Sequence, residues 1–415
     1  MHNFCGIDFG TSNSAIGVGK NKVELVLVED KYNTIPSALF FQAADKKILF
    51  GREAQKAYMA GEEGRFMRSL KRVLGTHLID QSTVVNGQSE IFQDIIAIFV
   101  RNLKQKTLSA GYELDSVVMG RPVHFVDNDQ TADNRAQAEL LQIAKKVGFK
   151  NIDFQYEPIA AAFAHEQNLS QEKLSLVVDI GGGTSDFTII RLSPERKKNT
   201  ERKNDILANT GVRIGGNDFD KDLSLKSVMP YFGYNTTYGA KGLIVPRAKF
   251  HDLSEWSKVN FVYDANTLRT FKNILKQSDA YERLGRFVKV IEHQLGHHLL
   301  DSIETAKIEL TQEDKYLLDL SYIEDDFAVG LDITQLNNAI ENNILKIKNS
   351  IWECLKISNT LAENIELIIL TGGSTEIPYI QSVISGIFPK AAVSQENKLS
   401  SVALGLTYDA MRKFS

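Results

Sequence analysis

The chain has 415 residues, of which 43% are hydrophobic and 24% are charged, and its formal net charge is −4. This length favours two or more domains, and the composition is that of a soluble globular protein. The weak negative charge excludes an electrostatic case for nucleic acid or an anionic membrane as a main partner. No apolar run approaches the roughly 18 residues of a membrane span.

The cysteines and the N-terminus bear on where the protein works. Cys5 and Cys354 lie far apart and match no metal-binding or redox spacing. They fit a reducing compartment. The chain enters a strand and a glycine turn almost at once, which leaves no room for a signal peptide. We therefore expect a cytoplasmic protein.

The first element is a strand, a turn and a second strand between Cys5 and Val18. Asp8 ends the first strand, and Gly10, Thr11 and Ser12 form the turn. Glycine lets backbone N–H groups approach a ligand closely, and successive N–H groups in a turn form a concave anion site. The pattern therefore indicates a phosphate-binding turn.

The next part of the chain alternates strands with helices, which indicates an α/β fold. Strands are expected at 34–41, 116–119 and 152–156, and helices at 52–75, 91–110, 131–147 and 159–166. We expect Arg65, Arg68 and Arg72 to be solvated on the helix at 52–75.

Glu157 lies where a strand becomes a helix, and Pro158 suits the first helical turn. A carboxylate at that position points to the edge where open α/β sheets bind ligands.

The chain is organised around a second glycine turn between two apolar runs, Ser175–Val178 and Phe187–Ile190. Gly181 to Gly183 and Thr184 would hold polyphosphate through backbone N–H groups. Asp179 beside a phosphate implies a cation between them, and we expect hydrated Mg²⁺. The sequence matches neither the Rossmann fingerprint nor a P-loop.

The two glycine turns are copies about 170 residues apart, each with its own aspartate. One such turn could be an ordinary β-turn. Two copies favour related halves that face each other across one shared polyphosphate.

The rest of the chain is less regular. The charged run at 194–205 is expected to be a solvated hairpin tip. Gly215 and Gly216 precede a helix, whose N-terminus offers free N–H donors. Residues 223–330 are the least readable part. Long helices are expected from about 269 to 310 and at 332–358, a strand at 365–370, a third glycine turn from Gly372 to Ser374, and a last helix at 400–412.

Two histidines in that region, His293 and His297, are four residues apart and could share a metal ion. No carboxylate lies at the spacing of a zinc-protease helix, so we do not expect a metal site there.

Five segments, taken together, resemble the actin/hexokinase/heat-shock ATPase superfamily and, within it, the 70-kDa heat-shock chaperones (DnaK-like). They occur in the family's order at 6–14, 34–41, 157–165, 179–187 with 214–220, and 371–378. The resemblance covers nearly the whole chain. The segment at 120–125 and the short length are most similar to the truncated YegD-like branch.

This resemblance implies a two-lobed actin-like ATPase fold, built from duplicated ribonuclease H-like domains, with ATP in the cleft between the lobes. The expected divisions are a lobe I core at 1–38, 91–170 and 396–415, its small subdomain at 39–90, a lobe II core at 171–222 and 332–395, and its small subdomain at 223–331. We expect no peptide-binding domain.

The resemblance also implies roles for individual residues. The phosphates and the Mg²⁺ shell are assigned to Asp8, Gly10, Thr11, Ser12, Gly181, Gly182, Gly183 and Thr184. The nucleoside is assigned to Gly215, Gly216, Glu304, Lys307, Gly372, Gly373 and Ser374.

For catalysis, it implies Lys71 near the γ-phosphate, Asp179 near the attacking water, Thr184 at the phosphates, and Glu157 facing the hydrated metal. Asp8, Asp179 and Glu157 would reach Mg²⁺ through water. Pro122 and Arg135 match a proline–arginine pair linked to interdomain signalling.

Three positions depart from the family's pattern. Ile308 and Glu376 stand where arginines usually contact adenine, and Leu399 replaces an acidic residue before the last helix. A lost cation–π contact is worth about 0.5–2 kcal/mol. Base affinity and selectivity are therefore expected to differ from the family's, while the phosphate-binding residues are retained.

Three functions follow from these observations. The first is a chaperone-like ATPase that hydrolyses ATP slowly and signals to a protein partner by lobe closure. The second is a nucleotide-gated binding or scaffold protein with negligible hydrolysis. The third is a small-molecule kinase of the same superfamily, although residues 80–125 contain no sugar-binding loop pattern. No nucleic-acid or membrane partner is expected.

Overall fold

The computed structural model describes residues 4–19, 22–199, 201–394 and 400–414. Its strands are β1 Phe4–Phe9, β2 Asn13–Gly19, β3 Val23–Leu25, β4 Thr34–Pro36, β5 Ala38–Gln42, β6 Ile48–Phe50, β7 Gly64–Arg68, β8 Ser82–Val85, β9 Gln88–Ile91, β10 Ser116–Arg121, β11 Asn151–Tyr156, β12 Lys173–Ile180, β13 Ser185–Leu192, β14 Ile206–Val212, β15 Thr237–Tyr238, β16 Leu243–Ile244, β17 Lys315–Asp319, β18 Ala328–Asp332, β19 Leu367–Thr371 and β20 Ala392–Ser394.

The helices alternate with these strands through most of the chain. They are α1 Gly51–Met59, α2 Phe92–Ser109, α3 Gln130–Lys146, α4 Glu157–Glu166, α5 Gly216–Leu223, α6 Ala248–Leu253, α7 Ala265–Leu275, α8 Tyr281–Glu292, α9 Gly296–Glu309, α10 Ile333–Ile357, α11 Pro378–Ile387 and α12 Ser401–Phe414. None of the described helices is long and apolar enough to cross a membrane.

Two sheets share one topology. The first has the order β11-β10-β1-β2-β3, with β4 also paired to β2, and the second has the order β14-β13-β12-β19-β20. In each sheet three antiparallel strands continue into two parallel ones. The β1–β2 and β12–β13 hairpins carry the two glycine turns at equivalent places. The predicted α/β fold and its internal duplication are confirmed.

The chain forms two compact units. Unit 1 comprises residues 1–215, 346–376 and 380–415, and unit 2 comprises 216–345 and 377–379. Both of these sheets lie in unit 1. Unit 2 contains α5 to α9 and the β17–β18 hairpin. The four-part division into lobes and subdomains stays a prediction.

Small residues let α12 and α4 pack closely over the sheets of unit 1. Gly405 of α12 lies so near α4 that an added Cβ would be 1.6 Å from the Ala160 carbonyl oxygen. Gly6 of β1 is also crowded, although less so, since its Cβ would lie 2.4 Å from the Thr407 amide nitrogen. This packing fixes α4, whose first residue is Glu157.

The predicted helix at 52–75 is wrong beyond its first turns. After α1, Gly61 adopts a φ of +75°, and the chain returns as β7, which pairs with β5. A short 3₁₀ turn, Leu70–Val73, follows. Arg68 is buried rather than solvated, while Arg65 and Arg72 are partly buried. Gly61 and Gly64 interrupt the helix because glycine favours helix ends over helix interiors.

The charged run at 194–205 is not simply a solvated tip. Arg202 is 4% exposed, and its guanidinium donates to both oxygens of Glu166 at 2.7 and 2.8 Å and to Asp205 at 2.6 Å. Glu166 is the last residue of α4 and is fully buried, so it needs a charged partner. This segment therefore anchors the end of α4 opposite Glu157.

Candidate functional site

The two glycine turns lie against each other in unit 1. A Cβ on Gly182 would be 2.0 Å from the Ser12 Oγ, and one on Gly183 would be 2.7 Å from the Thr11 Oγ1. An amide-to-carbonyl hydrogen bond of 3.0 Å from Gly181 to Thr184 closes the second turn. Added side chains at Gly182 and Gly183 would meet these hydroxyl groups first, so the Ser12 and Thr11 side chains would have to move. The two turns are therefore in contact. The repeated motif predicts that the two turns face each other, and they do; the polyphosphate shared between them stays a prediction.

Serine hydroxyls fix the first turn. The Ser37 Oγ donates to the Gly10 carbonyl at 2.7 Å and lies 2.8 Å from the Ser14 Oγ. The Ser37 amide donates to the Ser12 carbonyl at 2.8 Å. The predicted strand at 34–41 thus divides into β4 and β5, and Ser37 between them supports the turn.

Two other predicted segments, which contain Gly215 and Gly372, pack against the second turn. A Cβ on Gly215 would lie 2.6 Å from backbone atoms of that turn. Gly372 has a φ of +81°, and its added Cβ would be 2.9 Å from the Asp179 Oδ1. The Ser374 Oγ donates to the Gly181 carbonyl at 3.2 Å. Gly373, which lies between Gly372 and Ser374 in the sequence, is exposed.

Four carboxylates converge beside the turns. Asp8 lies near the end of β1, Asp179 near the end of β12 and Asp186 near the start of β13, and Glu157 begins α4. Burial, followed by repulsion from Glu157, raises the pKa of Asp8 and that of Asp179 well above the usual range. Asp179 also raises the pKa of Asp8, so these side chains share one electrostatic environment.

Lys71 is the cation among these carboxylates. Its Nζ lies 2.5 Å from the Glu157 Oε1, and both side chains are buried. Burial alone would lower the pKa of Lys71, but attraction to Glu157, Asp8 and Asp186 outweighs it and raises that pKa. Lys71 therefore stays protonated.

The donor set suits a hard cation. Burial, and then mutual repulsion, raise the pKa of Asp8, Asp179 and Asp186, so ionisation of all four acids around one ammonium is unfavourable. A bound divalent cation would offset this repulsion, and carboxylate oxygens are ligands that Mg²⁺ accepts, usually with several waters retained. Asp8, Asp179 and Glu157, the predicted metal residues, all belong to this cluster. Among the described residues, however, no three acidic, histidine or cysteine side chains are grouped closely enough to hold a metal ion directly. The predicted Mg²⁺ site, held through water, stays a prediction.

The buried side chain of Asp186 is expected to make the stability of the fold depend on pH. Burial, followed by repulsion from Glu157, raises the pKa of Asp186 to about 8, although the Val123 amide donates to its Oδ1 at 2.8 Å. An acid whose pKa is higher in the folded state than in the unfolded state adds to the stability of the fold at low pH. For Asp186 this stabilisation is full below the unfolded pKa of about 4, and it is lost as pH rises through the folded pKa of about 8.

We therefore expect Asp186→Asn, which keeps the acceptor for Val123, to raise the melting temperature relative to the wild type, and more so at about pH 9 than at about pH 5. Thermal unfolding without divalent cations measures this difference. A difference that stays constant over this range would contradict the assignment.

Three predicted nucleoside residues lie in unit 2. The Lys307 Nζ is 2.7 Å from the Asp220 Oδ1 and donates to the Gly216 carbonyl at 3.3 Å. Glu304 lies one turn earlier on α9 and is partly buried. Lys307 and Gly216 are therefore neighbours, and Asp220 holds the lysine.

The remaining predicted positions are more dispersed. Arg135 of α3 donates to the Gly75 carbonyl, and the Arg121 Nε donates to the Pro122 carbonyl at 3.0 Å. Ile308 is 52% exposed, and Glu376 is also exposed. Leu399 lies outside the described residues.

Comparison with known proteins shows which protein family this chain matches. The family model described as Hsp70 protein matches residues 4–229 and 290–411.

The chain belongs to the Hsp70 family.

Similar Hsp70 relatives include an HscA chaperone homologue of Haemophilus influenzae, 24% identical over 98% of this chain and 57% of the relative. A DnaK chaperone of Ureaplasma urealyticum is 25% identical over 96% of this chain and 57% of its own length. That of Thermosipho melanesiensis is 26% identical over 98% and 58%, respectively. The chain thus spans somewhat more than half the length of these Hsp70 relatives. The predicted family is confirmed.

Sequence reasoning gave no role to Asp186 or Asp220, although both occur in segments that resemble Hsp70. Asp186 pairs directly with Asp179 across the β12–β13 hairpin, so both side chains lie on one face of the sheet. Their symmetric spacing about the turn at 181–184 is a signal that could have identified Asp186. Asp220 had no comparable signal, because its partner Lys307 is distant in sequence.

Proposed function

We propose that this Hsp70-family chain binds Mg-ATP between its two glycine turns, hydrolyses it slowly and signals to a protein partner through lobe closure. The observation that carries the proposal is the direct approach of Gly182 to Ser12 beside a cluster of four carboxylates and Lys71. The names of the relatives as chaperones support a protein partner.

Each residue of the cluster has a proposed part in phosphoryl transfer to water. The backbone N–H groups of Gly10 to Ser12 and of Gly181 to Thr184 would bind the phosphate oxygens. Bound Mg²⁺, held through water by Asp8, Asp179 and Glu157, would neutralise phosphate charge. Lys71 would stabilise charge on the γ-phosphate, because loose transition states require positioning and neutralisation more than a strong base.

Asp179 would orient the attacking water or accept its proton. Glu157 orients Lys71 through their 2.5 Å contact. For the nucleoside, Gly372, Gly373 and Ser374 would contact adenosine, and Glu304 and Lys307 would contact the ribose. Gly215 and Gly216 would face the nucleoside. With Ile308 and Glu376 in place of arginines, adenine is expected to bind without cation–π contacts.

We also propose a cytoplasmic location and membership of the YegD-like branch. Both cysteines, Cys5 and Cys354, are buried free thiols, which suits a reducing compartment. The segment at 120–125 supports the branch.

The direct test measures phosphate release from ATP by the full chain, with Mg²⁺ and with EDTA. We expect Mg²⁺-dependent release that Asp179→Asn slows on the order of 100-fold, because that variant loses the carboxylate facing the water. The exposed Asp80→Asn variant is the matched control.

Equal release by wild type and Asp179→Asn would contradict the ATPase proposal. Tight ATP binding without release would instead point to a nucleotide-gated binding protein. Capture of proteins in ATP compared with ADP then tests whether a partner responds to nucleotide state.

A further inference from the structure

The loop that carries Lys71 contains a short 3₁₀ turn. Its 3₁₀ turn, Leu70–Val73, contains a 3.1 Å bond from the Arg72 amide to the Ser69 carbonyl and a 3.3 Å bond from the Leu74 amide to the Lys71 carbonyl. Ser69 before the turn has a φ of +60°. Short 3₁₀ turns have poor hydrogen-bond geometry, and a non-glycine residue at positive φ needs support from its surroundings.

One support comes from α3, which lies between two strands of the first sheet in the sequence. Glu139 of α3 accepts the Gly75 amide at 2.7 Å, and Arg135 of α3 donates to the Gly75 carbonyl. These contacts fix the end of the loop, four residues beyond Lys71.

A second support comes from a residue next to the second sheet. Arg213 directly follows β14, and its Nη2 donates to the Arg72 carbonyl at 2.5 Å. The accepted carbonyl belongs to the residue next to Lys71. Arg213 therefore joins a strand of the second sheet to the loop that holds the cation of the site.

Arg213 is itself anchored. Its amide nitrogen lies 2.9 and 3.1 Å from the two oxygens of Asp127. The next residue, Ile214, accepts a 2.8 Å hydrogen bond from Ser185, which follows the second glycine turn. Gly215 then packs against that turn. A displacement of the second turn would thus be transmitted to Arg213.

We infer that Arg213 is a positioning residue that sets the position of Lys71 according to the position of the second glycine turn. This inference rests on the proposed ATPase function. When the second turn grips phosphate, Arg213 would keep the Lys71 loop in place from the opposite half of the site.

The test uses the full chain with Arg213→Gln, the conservative Arg213→Lys, and Arg191→Gln as a control for loss of an exposed arginine on β13. Three quantities are measured: single-turnover hydrolysis, ATP affinity, and the rate of tryptic cleavage after Lys71 and Arg72. Melting temperatures verify that each variant is folded.

We expect Arg213→Gln to slow hydrolysis roughly 10- to 100-fold, because small misplacements of a catalytic group have effects of this order. ATP affinity should be unchanged, cleavage after Lys71 and Arg72 should accelerate, and Arg213→Lys should restore part of both losses. Arg191→Gln should behave as wild type. The inference would be overturned if Arg213→Gln changed hydrolysis without changing cleavage, or changed cleavage without changing hydrolysis. It would also be overturned if Arg213→Gln changed neither.

Failure of the proposed function has a different signature. If the wild type shows no hydrolysis that depends on Lys71, the ATPase proposal fails, and unchanged cleavage in Arg213→Gln would also exclude the support of the loop by Arg213.

Discussion

Replacing Lys71 with alanine is expected to slow ATP hydrolysis roughly 100- to 1,000-fold, the range measured when one preorganised charge-stabilising donor is removed from an active site. Lys71 is 7% exposed and lies 2.5 Å from Glu157, so water cannot readily replace its charge. ATP affinity should change far less, because the glycine turns would bind phosphate through backbone N–H groups. Single-turnover phosphate release and equilibrium nucleotide binding measure the two effects separately.

The matched control is Lys56→Ala, which removes an exposed lysine from α1. This variant should hydrolyse ATP at the wild-type rate. Hydrolysis by Lys71→Ala at the wild-type rate would exclude Lys71 from catalysis, and equal loss of affinity and rate would indicate a binding role instead.

The largest effect on stability is expected from Gly405→Ala. The added Cβ would lie 1.6 Å from the Ala160 carbonyl oxygen, and backbone atoms cannot rotate away as a side chain could. Helices α12 and α4 would have to separate, with an expected cost of roughly 3 kcal/mol or more. Because α4 begins at Glu157, activity should fall together with the melting temperature.

Gly386→Ala is the control for this substitution. Gly386 lies on α11 in unit 1, and its added Cβ meets nothing within 4 Å among the described residues. Alanine there should leave the melting temperature unchanged or raise it slightly, since glycine costs roughly 0.5–1 kcal/mol in a helix. A Gly405→Ala protein as stable as the wild type would show that α12 and α4 are less tightly packed.

Much of the arrangement of the two glycine turns could be predicted because its signals are local. Each glycine turn, its aspartate and its flanking strands are contiguous in sequence, and the repetition of the motif predicted two related sheets. Glu157 was placed at the start of a helix from its strand–proline context. Each of these positions depends on backbone geometry, which short sequence patterns specify directly.

The missed features depend on contacts between distant segments. The burial of Arg202 follows from Glu166, 36 residues earlier, and the contact of Arg213 with Arg72 spans 141 residues. A charged residue shows the same local pattern whether its partner is water or a distant carboxylate. The helix at 52–75 was predicted too long because its polar and basic residues outweighed Gly61 and Gly64.

The most direct test of the shared phosphate site is a crystal structure of the protein with Mg²⁺ and a non-hydrolysable ATP analogue. We predict one triphosphate in contact with the amides of Gly10 to Ser12 and of Gly181 to Thr184, with Asp8 and Asp179 facing one hydrated metal ion. A nucleotide bound away from these turns, or Asp8 and Asp179 directed to different ligands, would contradict the account.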